Sequence, residues 1–235
     1  MVLQQLNLTL YDDINLYAAF CLAFAAFLRC GEFTWDTWTA TSHETHLSRH
    51  SVLFKSDSTL ALHLPYSKTD PFRRGVTIQL ARAPDISCPV AALSSLFQRF
   101  PTSSPTAPLF SRLSGPFSSA WVIDRLRALL LAAGIDPTGY SGHSFRRGAA
   151  STAMDMGLSK QEIRTLGRWH SDALDRYISP ATAESNLLSL SARLHSRSGP
   201  SASVSGSMPA ATSLEPELFD ESQASDSSSE SEDRS

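Results

Sequence analysis

The strongest constraint on this chain is a stretch of thirteen apolar residues, Leu16 to Leu28, that stops at Arg29. Its core, NLYAAFCLAFAAFL, is apolar nearly all round at helical spacing, so a helix built on it has no face to offer water and belongs in the middle of a domain. The run is too short for the roughly 20 residues that a bilayer crossing needs. Thr9 and Asp12 give it a capping-box-like start, which predicts one helix from there to about Arg29.

A chain of 235 residues, 42% of them hydrophobic, can bury one full-sized core around such a helix. Cys21, Cys30 and Cys88 are odd in number and lack CxxC spacing, which argues against a disulfide framework or a cysteine zinc site and fits a reducing compartment. The opening MVLQQLNLTL has no basic region of the secretory kind. The net charge of −3 is unevenly placed: residues 196–235 hold eight acidic residues and two arginines, leaving residues 1–195 at +3. That terminal stretch contains fourteen serines and reads as a disordered, acidic tail behind one folded, mildly basic domain over 1–195.

Within the domain, CGEFTWDTW continues as a second helix or turn, and TATSHETHLSRH reads as a loop. SVLFK (51–55), TLALHLPYS (59–67) and GVTIQLAR (75–82) are β-like and predict a small antiparallel sheet. Helices follow over 88–100, opened by proline, and over 117–133, closed by Gly134. Phe145, Ala149, Ala153 and Met156 form a stripe on the next helix, with Gly157 as its cap. Ser159 and Glu162 start a short helix to about Leu166, and two more are expected near 173–178 and 182–194. The fold class is mainly α with a small three-stranded antiparallel sheet.

The chemistry centres on SGHSFRRGAAS, residues 141–151. It places His143 and Arg146 three apart at a helix N-terminus, where they are expected to share a face and where backbone N–H groups favour an anion, commonly phosphate. Arg29 with Glu32 in LRCGEFTW, Lys68 in SKTD, and Trp169, His170 and Tyr177 in LGRWHSDALDRYI complete the set. His43, His46 and His50 have spacing open to zinc but sit in a polar loop without cysteine support, so they read as solvated. Trp35 and Trp38, at helical spacing, read as packing.

Taken in order, LRCGEFTW, SKTDPFRRG, GHSFRRGAAS and GRW…YI resemble the catalytic domain of the tyrosine recombinases (phage-type integrases), of the kind found in eukaryotic mobile elements. The resemblance spans roughly residues 10–185. It implies a DNA breaking-rejoining enzyme in which Tyr177 attacks a phosphodiester to form a 3′-phosphotyrosyl link, while Arg29 and Arg146 clamp the non-bridging oxygens. Lys68 is then the general acid for the 5′-oxygen, His143 a phosphate donor or proton relay, and Glu32 a carboxylate that holds the surroundings of Arg29. Relatives carry a histidine or tryptophan nine residues before the nucleophile. Here Arg168 fills that slot, with Trp169 and His170 next to it as alternatives; Trp169 fits best, because an indole N–H donates while its ring packs. Arg73, Arg74, Arg147 and Arg168 are expected on flanking DNA.

The resemblance implies no metal and no cofactor, a double-stranded DNA partner, and a homo-oligomer, a tetramer, on DNA. It also leads one to expect a helical clamp domain ahead of this one, supplied by a longer chain or a partner, with no membrane role and with residence in the nucleus, or with the nucleoid in a bacterium. A catalytically inactive DNA-binding descendant and a type IB topoisomerase-like enzyme are the competing readings.

Overall fold

The computed structural model describes residues 1–37, 39, 42–65, 75–169 and 174. The apolar helix forms as α1, Tyr11–Ala25, buried from Asp13 to Ala23 at every residue but Tyr17. Thr9 does not cap it. Its hydroxyl bonds Asn7 Oδ1 at 2.7 Å, and the N-cap is Leu10, with Asp12 and Asp13 in the first turn placed favourably for the helix dipole. The polar groups taken into the core are satisfied: Asp13 meets Arg125 at 2.8 Å, and the Asn15 amide donates to the Tyr11 carbonyl at 3.0 Å and accepts from Ser111 N–H at 3.3 Å.

The helix also ends earlier than the apolar pattern suggests. Phe27 takes a left-handed backbone, φ +53°, and the chain closes with Leu28 N–H to Ala23 O at 2.8 Å and Phe27 N–H to Phe24 O at 3.2 Å. That is a Schellman ending with phenylalanine where glycine is usual. Hydrophobicity ran on through the break, so periodicity alone could not find it. A four-residue helix, α2 (Cys30–Phe33), follows, with Arg29 at its N-cap.

The sheet forms as predicted: β1 (Val52–Ser56), β2 (Thr59–Leu64) and β3 (Val76–Ala81), in order β1-β2-β3, antiparallel throughout. Leu60, Leu62 and Leu64 point inward from the central strand, with Leu62 opposite both Val52 and Ile78. Next comes α3 (Pro89–Arg99), capped by the Cys88 thiol, which accepts from Ala91 N–H. A small hairpin, β4 (Ser111–Arg112) and β5 (Gly115–Pro116), was not anticipated. It leads into α4 (Ser119–Ala132), which closes before Gly134 at φ +74°.

Two hydrophobic clusters result. The larger gathers α1, α3, α4 and the sheet; the smaller joins Phe27, Ala149, Ala150, Ala153, Met154, Ile163, Trp169 and Leu174. It is built on α5 (Ser144–Asp155) and α6 (Lys160–Gly167), the latter opened by the expected Ser159–Glu162 capping box. The proposed α5 stripe is corrected at its end: Met156 is 72% exposed, and Met154 is the buried methionine. Met156 lies one residue past the last helical position, beyond where the 3.6-residue period applies. Among the described residues no helix is long and apolar enough to cross a membrane. The helices expected near 173–178 and 182–194, and the acidic tail, lie outside the described residues apart from Leu174.

Candidate phosphate-binding site

The site is organised by the left-handed turn after α1. Because Phe27 ends the helix as a Schellman turn, the carbonyls of Ala26 and Phe27 are left without helical partners, and two arginines distant in sequence take them. Arg146 Nη1 donates to Phe27 O at 3.1 Å and its Nη2 to Gly167 O. Arg168 Nη1 donates to Ala26 O at 2.9 Å and Nη2 to Phe27 O at 3.4 Å.

Arg168 is itself the left-handed residue that ends α6, φ +58°, with Trp169 N–H to Arg164 O at 3.0 Å and Arg168 N–H to Thr165 O at 3.2 Å. Two helices thus end in the same non-glycine Schellman turn, and the two turns bond to each other. Each left-handed residue costs about 1–2 kcal/mol relative to a right-handed one. The Phe27 side chain offsets this by filling the smaller core cluster against the edge of Trp169, centroids 6.1 Å apart.

Glu32 gathers the charge. Its carboxylate accepts Arg29 N–H at 2.7 Å, pairs with Arg29 Nη1 at 3.2 Å, and stands 3.7 Å from Arg168 Nη2. Burial lowers the Arg168 guanidinium below its ordinary pKa; Glu32 opposes that shift and Arg29 adds to it. Arg146 and Arg168 thus meet on the carbonyls of this turn, and Arg29 and Arg168 share the Glu32 carboxylate.

The loop before α5 is tied to the same turn. Cys30 N–H donates to Gly142 O at 2.8 Å, and a Cβ on Gly142 would come within 3.2 Å of the Cys30 Cβ, so only glycine sits here without displacing a neighbour. That contact carries His143 to the vicinity of Arg29. Burial holds the Cys30 thiol protonated, its pKa pushed up to about 12.

The expected shared face of His143 and Arg146 is not what forms. His143 is exposed at the N-cap, whereas Arg146 is 1% exposed, its guanidinium 4.4 Å over the Trp169 ring. The N-cap precedes the helical residues, so the i, i+3 rule does not govern its direction. Arg168, expected on flanking DNA, likewise turns inward: its side chain is 13% exposed and donates to carbonyls of the turn. Arg29, at 23%, keeps a solvent-facing edge, and Arg147 is exposed, donating to Gly139 O at 2.7 Å. Trp169 is buried at 8%. Lys68, Arg73, Arg74, His170 and Tyr177 lie outside the described residues, as does Trp38.

Among solved structures, the chain is similar to the crystal structure of XerA recombinase, with a TM-score of 0.50 and 15% identity over 83% of this chain. The fold is that of a tyrosine recombinase. The chain spans 64% of that recombinase's length. No family model and no curated protein matches it by sequence.

Within this recombinase fold, Phe27 and Gly167 are the residues that sequence reasoning missed, because both act through main-chain carbonyls. For Gly167 there was a signal, its place two residues before a tryptophan. A side chain there would collide with the Trp169 indole. For Phe27 there was none. In the histidine-rich loop His50 is exposed, as expected, with Nδ1 bonding Pro105 O at 3.2 Å, whereas His46 is half-buried with Nδ1 bonding Ser42 O at 3.0 Å. Among the described residues no cluster of three metal-ligating side chains occurs. Trp35 packs as expected, 5% exposed, with Nε1 donating to Leu47 O at 3.0 Å.

Proposed function

We propose that this chain breaks and rejoins DNA strands in recombination or integration through a covalent phosphotyrosyl intermediate. The observation that carries the reading is the meeting of Arg146 and Arg168 on the carbonyls of one left-handed turn, with Arg29 and Arg168 both paired to Glu32, within a tyrosine recombinase fold. Guanidiniums gathered at one turn suit a phosphorane, whose equatorial oxygens gather negative charge as it forms.

In the proposed reaction the Tyr177 hydroxyl attacks phosphorus, its proton passing to His143 or water. The bond to the 5′-oxygen breaks, and Lys68 protonates that oxygen. The phosphodiester bond is exchanged for a phosphotyrosyl one, so reversal by a new 5′-hydroxyl rejoins the strand without ATP and with no step through a metal. Arg29 presents its open edge to one non-bridging oxygen. A phosphate oxygen would compete with the Phe27 and Gly167 carbonyls for the Nη protons of Arg146, and a charge-assisted bond is roughly twice as strong as a neutral one. Trp169 holds the Arg146 guanidinium in place from its ring face. Arg147, with Arg73 and Arg74, tracks neighbouring phosphates, and the reading extends to tetramers on DNA, a separate clamp domain, an origin in a mobile element and nuclear residence.

The test is a nicked suicide duplex, which traps the covalent adduct by losing the short strand carrying the 5′-hydroxyl. Wild-type protein forms the adduct, and Tyr177→Phe and Arg29→Gln do not. An adduct that survives Tyr177→Phe removes the assignment. DNA binding without any adduct favours the inactive DNA-binding descendant, a reading that the inward set of Arg146 also fits.

A further inference from the structure

A second cationic cavity lies at the opposite end of α1 from Arg29. The rise of an α-helix from Tyr11 to Ala25 puts the two ends about 20 Å apart. This cavity has a volume of about 430 Å³ and is lined by Tyr11, Arg49, Arg99, Phe100, Thr102 and Ser111, among others. Arg49 is only 9% exposed. Its backbone N–H is tied to Ala107 O at 2.9 Å and its guanidinium lies 4.6 Å over the Phe97 ring, so the side chain is held from both ends. Yet its buried Nη1 has no hydrogen-bond partner among the described residues. No acidic side chain is among the described residues that line the cavity.

A buried guanidinium with a donor left over is costly, because unmet desolvation of a charged group is among the most expensive features a fold can hold. Burial lowers its pKa accordingly, with nearby Tyr11 opposing the shift. The rest of the lining is suited to an anion. Arg99 is a second guanidinium, anchored through Nη1 to Leu8 O at 2.9 Å, and the Tyr11 and Ser111 hydroxyls share one proton between them at 2.7 Å, leaving the other free to donate. Two arginines and two hydroxyls around an open space match the several oxygens of a tetrahedral oxyanion.

We infer that the Arg49–Arg99 cavity is a phosphate-binding site separate from the proposed catalytic centre. The phosphate group has two possible sources, a small phosphorylated molecule or a backbone phosphate of bound DNA, and the same donors serve either.

The probe is inorganic phosphate, titrated at constant ionic strength against chloride, with thermal unfolding and phosphorus NMR as readouts. The full chain is expected to show a saturable rise in Tm of about 4 °C at ten times Kd. In an Arg29→Gln background, which removes any contribution from the proposed catalytic turn, Arg49→Gln abolishes the rise. Arg99→Gln, at an exposed position that does not threaten folding, weakens the affinity about tenfold. Arg29→Gln keeps it, which separates this site from the proposed catalytic one. If a short DNA duplex displaces the bound phosphate, the backbone is the source; if bound phosphate persists beside saturating duplex, a free phosphorylated molecule is. A chloride response equal to that of phosphate overturns the inference, as does a rise that survives both Arg49→Gln and Arg99→Gln in the Arg29→Gln background, or one lost in Arg29→Gln alone.

Discussion

Replacing Glu32 with glutamine keeps the shape of the side chain and removes its charge. The amide oxygen can still accept Arg29 N–H, so the loss falls on the ion pairs at 3.2 Å to Arg29 and 3.7 Å to Arg168. At an effective dielectric constant of about 20 each pair is worth roughly 5 kcal/mol before desolvation is counted. Desolvation already incurred by Arg168 is not recovered when its partner goes, and breaking one side of a buried pair typically costs about 3–5 kcal/mol. Arg29 is partly open to water, so the lower end applies, about 3 kcal/mol. For a domain of this size that is a fall in Tm of about 9 °C. Urea unfolding measures the free energy directly, with m expected to stay constant. The same change made in an Arg168→Met background should cost about 1–2 kcal/mol less, since the stranded charge is then gone. A Glu32→Gln protein within about 0.5 kcal/mol of wild type, or costs that add without coupling to Arg168, would refute the charge arrangement described for this turn.

Gly167→Ala should destabilise by about 2–3 kcal/mol, because the new methyl meets the Trp169 ring, which is fixed between Arg146 and Phe27. In a Trp169→Ala background the same substitution should become neutral or stabilising, read by urea unfolding, as alanine is the better helix former. Cys21 and Cys30 make stability fall in alkali. Their thiols ionise near 9 when unfolded but are pushed up to about 12 by burial, so stability is full below pH 9 and is lost between pH 9 and 12, on the order of 1 kcal/mol per pH unit for each thiol. Cys30→Ala should flatten that decline in a chemical-denaturation series, and both thiols should resist alkylation at pH 7.5 until the protein unfolds.

Much of the scaffold was legible because its signals are local. Proline at the start of α3, glycine after α4 and the Ser159–Glu162 box each satisfy terminal groups within a few residues, and the alternation in β2 marks its inward leucines. What could not be read was decided by distant partners. Phe27 looks like one more apolar helix residue. It becomes left-handed because its ring has a pocket on α5 and α6 and its carbonyl has two guanidiniums from 119 and 141 residues away in sequence. Arg146 and Arg168 look like surface cations for the same reason, since nothing in their own segments reveals the carbonyls waiting for them. The hairpin at 111–116 escaped because two-residue strands carry too little alternation to stand out.

The most direct test of the central claim is to identify the atom that carries the DNA. After trapping with a suicide duplex, nuclease treatment and trypsin digestion, the peptide that begins at Tyr177, just after Arg176, and runs to Arg193 should bear a 3′-phosphonucleotide on its tyrosine. Attachment at any other residue, or a wild-type protein that binds the duplex tightly and never acquires that mass, would contradict the account.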